Sequence, residues 1–108
     1  MKLQPGKIPP DILKDVVFKN LGAFRSEVTL GPASGIDGAV IDMGSKDAVV
    51  SMDPITGAVD RIGAEAIHIN ANDIATFGVE PAVFFSCIML PSGADSKIID
   101  TISTQMHH

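Results

Sequence analysis

Three aspartates stand at the ends of segments whose composition predicts regular structure. Asp37 precedes one apolar run, Asp53 follows a second, and Asp73 lies in an alanine-rich stretch that predicts a helix. Carboxylate oxygens are ligands that Mg²⁺ prefers, together with the phosphates that the ion bridges. We therefore interpret the three acids as positions that face a magnesium-bound polyphosphate. The alternative, that they are solvated strand-end and turn residues, is common for aspartate and stays open.

Composition and charge predict a globular domain that does not bind nucleic acid. The chain has 108 residues, of which 45% are hydrophobic and 19% charged, as is typical of a folded core. The net charge is −5, the basic residues are scattered, and Trp and Tyr are absent. Nucleic-acid binding needs a basic surface, so we expect no such partner.

The chain also lacks the signals of membrane insertion and secretion. No apolar run reaches the roughly 18 residues of a membrane helix, and the first residues lack the apolar centre of a signal peptide. The single cysteine, Cys87, excludes an internal disulfide. We expect no membrane partner and a cytoplasmic location.

Hydrophobic spacing predicts three helices. The first begins beside Pro9 and ends before Gly22, and the second spans residues 60–77 with Gly78 as its C-terminal cap. The third follows Asp95, and its predicted buried stripe comprises Ile98, Ile99, Ile102 and Met106. His107 and His108 carry no predicted chemistry.

Four strands are predicted at residues 25–30, 39–43, 48–52 and 82–90. The last is almost continuously apolar, which is typical of a buried central strand. Cys87 within it is predicted to be a small core residue rather than a nucleophile.

The second and third strands predict a β-hairpin around residues 44–47. A four-residue turn pairs Met43 with Ala48 and places Asp37 near Pro54, whereas a five-residue loop sets Asp37 opposite Asp53. Either register brings the two acids to the open end of the hairpin, where a cation would relieve their repulsion.

The predicted second helix has a polar middle. His68, Asn70, Asn72 and Asp73 interrupt its apolar surface, and Asn and Asp are mediocre helix formers, which indicates a role for their side chains. Asn70 and Asp73 are three positions apart and share a face. His68 is interpreted as a surface histidine, since no second histidine stands at i+4 to form a zinc site.

A loop of small residues, residues 31–35, precedes Asp37. Such a loop allows backbone N–H groups to approach an anion. No Gly-Lys-Ser/Thr sequence follows, so this is not a P-loop. An ordinary connection is the alternative interpretation.

Four short segments carry a resemblance to a known family: GKIP, GIDGAVI, VVSMDP and NANDIATFGVEP, at residues 6–9, 35–41, 49–54 and 70–81. In this order they resemble the N-terminal domain of the aminoimidazole-ribonucleotide (AIR) synthetase superfamily. The match is closest to the hydrogenase-maturation branch and to AIR synthase-related proteins. Ile36 stands where an additional acid is common in that family.

The resemblance implies an α+β fold with helices packed on one face of a mixed β-sheet. It implies that residues 1–108 form an N-terminal, ATP-binding domain, truncated before the family's C-terminal domain. Family members usually form a homodimer whose sheets close into a barrel, with ATP at the subunit boundary, so ATP and a second copy are the expected partners.

The resemblance also implies a site. Asp37, Asp53 and Asp73 correspond to the Mg²⁺-binding acids, and Asn72 would orient the last of them. Ser51 would lie beside the phosphates of ATP. Gly31 and Gly35 would lie near the nucleotide. No residue is indicated as catalytic.

The implied function is phosphoryl transfer. The chain would be the ATP- and Mg²⁺-binding part of an enzyme that activates an oxygen of its substrate by phosphoryl transfer from ATP, inactive without its C-terminal domain. The alternative is a non-catalytic nucleotide-sensing or dimerisation module of the same fold.

Overall fold

The chain divides into two compact units, Met1–Val50 and Ser51–His108. The computed structural model describes residues 2–57 and 60–108. These residues form a three-stranded sheet and three helices, so the α+β class is confirmed. No helix in the described ranges is long and apolar enough to cross a membrane. The cytoplasmic location stays a prediction.

Helix α1 of the first unit is short and changes its winding. Its α-helical turn, Pro10–Ile12, continues as a π-helical segment, Leu13–Val17. The wider winding is visible where the Phe18 N–H donates to the Leu13 carbonyl at 2.9 Å, an i→i+5 bond. The helix ends earlier than predicted because the Asn20 side-chain amide bonds the Val16 carbonyl at 2.8 Å.

The sheet of the first unit is antiparallel, in the order β1-β2-β3. Its strands are β1 (Val28–Leu30), β2 (Ala39–Asp42) and β3 (Asp47–Val50). The prediction of a mixed sheet is therefore wrong for the described residues, since each of their strand pairings is antiparallel. The packing of helices on one face and the dimeric barrel stay predictions.

The predicted β-hairpin is confirmed, but both predicted registers are wrong. Ile41 pairs with Ala48, and the Met43 N–H donates to the Lys46 carbonyl at 2.9 Å. Only two residues therefore form the turn. Gly44 has a φ of 95°, the left-handed conformation that the first central position of such tight turns requires.

Two long helices dominate the second unit, α2 (Ile62–Ala75) and α3 (Ser96–His107). Their positions agree with the predictions. Gly78 has a φ of 74° and its N–H donates to the Ala75 carbonyl at 2.9 Å, as predicted for a C-terminal cap. Asp95 caps α3 by accepting the Lys97 N–H at 2.8 Å.

Helices α2 and α3 meet at Gly63. A Cβ on this residue would lie 2.5 Å from the Ile102 carbonyl oxygen. The Gln105 side chain accepts the Gly63 N–H at 3.0 Å and donates to the Asp60 carbonyl at 2.7 Å. Ile102 is buried at this crossing, whereas Ile99 is 43% exposed. The predicted stripe is wrong at Ile99 because the close contact through residues 102 and 105 turns it away.

The predicted buried strand at residues 82–90 is wrong. Residues 81–90 belong to no described strand and are all exposed, and Cys87 is exposed as well, contrary to its predicted place in the core. The described part of the second unit contains no strand with which this segment would pair. Val83, Phe85 and Met89 are 73%, 91% and 86% exposed. With Cys87 we call them the apolar strip.

Candidate functional site

Asn70 of helix α2 bonds both backbone groups of Asp53. The Asp53 N–H donates to Asn70 Oδ1 at 2.8 Å, and Asn70 Nδ2 donates to the Asp53 carbonyl at 3.1 Å. The same Nδ2 donates to the Ala66 carbonyl one turn earlier in the helix, at 2.8 Å. Oxygen and nitrogen of the amide are thereby assigned, since the reverse orientation would oppose donor to donor and acceptor to acceptor.

A second contact joins the same two elements. Ser51 Oγ donates to Asp73 Oδ2 at 3.4 Å in a partly buried position, a long hydrogen bond. Asn70 and Asp73 are three residues apart on α2, about 4.5 Å along its axis. Ser51 and Asp53 are two residues apart on the preceding segment. The two contacts therefore hold residues 51–53 alongside the middle of α2, which carries Asp73 past the Asp53 segment.

The polar middle of α2 separates into two sets. Asn70 and Asp73 are half-buried, whereas His68 and Asn72 are exposed. The interpretation of His68 as a surface residue is confirmed. The proposed orienting role of Asn72 stays a prediction. Asn70 was absent from the predicted site, although its position one turn before Asp73 was a usable signal.

The other predicted site residues belong to the first unit. Asp37 follows a turn in which the Ile36 N–H donates to the Ala33 carbonyl at 3.3 Å, with Gly35 at a φ of 76°. A Cβ on Gly31 would meet Val28 at 3.4 Å, an ordinary packing distance. The nucleotide-binding role of the two glycines stays a prediction. The register that sets Asp37 directly opposite Asp53 is wrong, whereas a metal site shared by the two acids stays a prediction.

The donor set of the second unit fits a magnesium ion held in part by other ligands. Ser51, Asp53 and Asp73 offer oxygen atoms, which is the donor type that Mg²⁺ requires. Within residues 2–57 and 60–108, no three His, Cys, Asp or Glu side chains are grouped as a metal site. Such a set suits Mg²⁺ bound by one or two carboxylates, phosphate oxygens and water, rather than an all-protein cage.

Residues 35–108 match the model of the family described as AIR synthase related protein, N-terminal domain. The chain belongs to this family. The matched residues include both hydrogen-bonded contacts of the site, Ser51 with Asp73 and Asp53 with Asn70. It also contains Asp37 and Gly35, whereas Gly31 precedes it. The resemblance read from the four sequence segments is confirmed.

A relative of this AIR synthase-related domain is found in Methanocaldococcus jannaschii, where its name assigns it to hydrogenase expression/formation. The two sequences are 29% identical over 102 residues. The alignment covers 90% of this chain but 30% of the relative, so the chain spans about a third of that protein's length. No solved structure matches the chain significantly.

Proposed function

We propose that this chain is the ATP- and Mg²⁺-binding part of an AIR synthase-related enzyme that activates a substrate oxygen by phosphoryl transfer from ATP. The observation that carries the proposal is the pair of contacts that holds residues 51–53 along α2. These contacts hold the segment that carries Asp53 against the helix that carries Asp73, and both aspartates are predicted metal ligands in a chain of this family.

Asp53 and Asp73 would hold the ion, and Asp37 is the third acid expected from the sequence. Bound Mg²⁺ would neutralise the charge of the polyphosphate, the main requirement of phosphoryl transfer. The Ser51 hydroxyl already donates a hydrogen bond to the Asp73 carboxylate. That bond orients Asp73, as hydrogen bonds to ligating carboxylates do in metal sites. Gly31, Gly35 and Asn72 are proposed to lie around the nucleotide.

The reaction itself would depend on more chain than the 108 residues contain. Since these residues align with 30% of the hydrogenase expression/formation relative, we propose a role in hydrogenase maturation for the whole protein. In that proposal the domain supplies nucleotide binding, and further segments supply the acceptor site. The alternative, a nucleotide-sensing or dimerisation module, predicts that a full-length protein binds ATP without consuming it.

Calorimetric titration of Mg-ATP tests the proposal. The wild-type chain is expected to bind, and Asp53→Asn and Asp73→Asn are each expected to weaken binding by about tenfold or more. Asp37→Asn tests the third acid in the same way. Asp100→Asn is the matched control, since Asp100 is an exposed aspartate of α3. Equal affinity of wild type, Asp53→Asn and Asp73→Asn would refute the proposed site.

We also propose that the chain forms a homodimer. The family resemblance implies that the β-sheets of two copies pair, and the apolar strip is a second surface that supports self-association, because Val83, Phe85 and Met89 are largely exposed. Exposed apolar surface of this kind is typical of protein–protein contacts. We propose that a second copy of this chain covers the apolar strip.

A further inference from the structure

We propose that Asn70 is a positioning residue for the Mg-ATP site and that it acts through the Asp53 backbone. The inference rests on the proposed function and extends it to a residue that would not touch the ligand. Three hydrogen bonds carry it, two to Asp53 and one to the Ala66 carbonyl.

The geometry is that of a substitute strand partner. In an antiparallel sheet, a residue often exchanges both of its backbone hydrogen bonds with one residue opposite. Asn70 does the same with its side chain, because its Oδ1 and Nδ2 bond the N–H and the carbonyl of Asp53. The Asp53 backbone is thereby fixed to the helix, while its carboxylate takes no part in these bonds.

Neither helix propensity nor helix capping explains an asparagine at position 70. Asparagine is a mediocre helix former, and position 70 lies in the middle of Ile62–Ala75 rather than at a cap. The bond from Nδ2 to the Ala66 carbonyl fixes the side-chain rotamer, so the amide is held ready for Asp53. An alanine would suit the helix better, but it would leave both Asp53 backbone groups without this partner.

A metal site needs its ligands at a fixed separation. Asp73 is part of the rigid helix, whereas Asp53 lies in a segment without regular structure. Asn70 lies one turn from Asp73 and bonds the Asp53 backbone. It therefore holds Asp53 at a fixed position relative to the helix that carries Asp73. The expected consequence is that loss of the amide weakens ligand binding only as far as Asp53 contributes to it.

A double-mutant cycle measured by Mg-ATP calorimetry tests this dependence. Asn70→Ala is expected to weaken binding by about 10–100-fold in the wild-type background. In the Asp53→Asn background, the same change is expected to alter the affinity by less than about twofold, since coupled residues are not additive. His68→Ala, which changes an exposed residue of the same helix with no assigned role in the site, is the control and is expected to leave the Mg-ATP affinity unchanged.

The outcomes separate the two proposals. If Asp53→Asn does not weaken binding, the proposed metal role of Asp53 fails, and this inference fails with it. If Asp53→Asn weakens binding but Asn70→Ala does not, only the positioning role is refuted. Equal weakening by Asn70→Ala in both backgrounds would also refute it, because a general structural defect does not depend on Asp53.

Amide hydrogen exchange without ligand gives an independent measurement. The Asp53 N–H is expected to exchange roughly tenfold faster in Asn70→Ala than in wild type. An unchanged exchange rate would refute the proposed positioning of the Asp53 backbone by Asn70. If Asn70→Ala does not fold, Asn70→Leu replaces it in both experiments. That variant keeps a side chain of similar size but lacks both the acceptor for the Asp53 N–H and the donor for the Asp53 carbonyl.

Discussion

Gly63 lies so close to Ile102 that a Cβ on the glycine would be 2.5 Å from the isoleucine carbonyl oxygen. The same Cβ would be 2.9 Å from the Cβ of Gln105. Because the first of these neighbours is backbone, a rotamer change cannot relieve the overlap. The crossing of α2 and α3 therefore requires glycine at position 63.

Gly63→Ala is expected to destabilise the protein. Overpacking at the crossing costs about 1–3 kcal/mol, against a gain of up to about 1 kcal/mol from the better helix propensity of alanine. We expect a net loss of roughly 1–2 kcal/mol in the free energy of unfolding, measured by urea denaturation. Ala75→Gly calibrates the propensity contribution at an exposed position of α2. A more stable Gly63→Ala variant would contradict the close crossing.

Gln105 performs the capping of α2 that its N-cap residue, Arg61, does not. Gln105→Ala removes an acceptor for the Gly63 N–H and a donor to the Asp60 carbonyl, so we expect a loss of about 0.5–2 kcal/mol in the free energy of unfolding. Gln105→Glu keeps an acceptor and adds a negative charge near the helix N-terminus, which is favourable.

The pair of Gln105 variants separates capping from packing. Thermal unfolding at neutral pH is expected to rank wild type first, Gln105→Glu second and Gln105→Ala last. If both variants unfold at the same temperature, the acceptor at Gly63 contributes nothing measurable.

The ion pair of Arg25 and Glu27 in the first unit predicts a modest pH dependence. Arg25 Nη2 lies 2.7 Å from Glu27 Oε1, and this hydrogen bond lowers the pKa of the Glu27 carboxyl and raises the pKa of Arg25. Since the folded-state pKa of Glu27 is the lower one, its contribution to stability is present above the unfolded-state pKa. That contribution is lost as the pH falls through the folded-state pKa.

Carboxyl NMR titration measures the effect directly. Glu27 is expected to titrate below the usual glutamate range, and Arg25→Gln is expected to return its pKa toward that range. Added salt is expected to shrink the difference, because both side chains are exposed and their attraction is screened. A Glu27 pKa that is the same in Arg25→Gln and wild type would contradict the pair.

Self-association is expected to depend on the apolar strip. Phe85→Ser with Met89→Ser is expected to shift the chain from dimer to monomer in sedimentation velocity, because both residues would be buried between copies. Phe24→Ser is the matched control, since Phe24 is 88% exposed but belongs to the first unit. A wild-type monomer at all concentrations would refute the homodimer, and a monomeric Phe24→Ser alone would place the contact elsewhere.

Local patterns predicted the elements well. The stop at Gly78, the start of α3 after Asp95 and the hairpin around Gly44 each depend on neighbouring residues alone, and the structure confirms them. The hairpin register was missed because a two-residue turn depends on the φ of Gly44, which the apolar pattern does not contain. Ile99 was missed because the orientation of α3 depends on a glycine 36 positions earlier.

The largest error concerned residues 82–90. An apolar run is typical of a buried strand, but burial also needs a partner, and periodicity carries no information about one. The site shows the same division. Residue types identified Asp53 and Asp73 as candidate ligands, whereas the contact of Asn70 with the Asp53 backbone depends on how a loop meets a helix.

The cap that Gln105 provides also has a consequence for synthesis on the ribosome. The N–H of Gly63 waits for an acceptor that is translated 42 residues later, roughly 2–8 s at ordinary elongation rates. During that interval the nascent α2 has no partner for this amide and no α3 to cover Gly63. Completion of the second unit therefore depends on residues translated well after α2, whereas the β-hairpin of the first unit closes from residues made within a short time of each other.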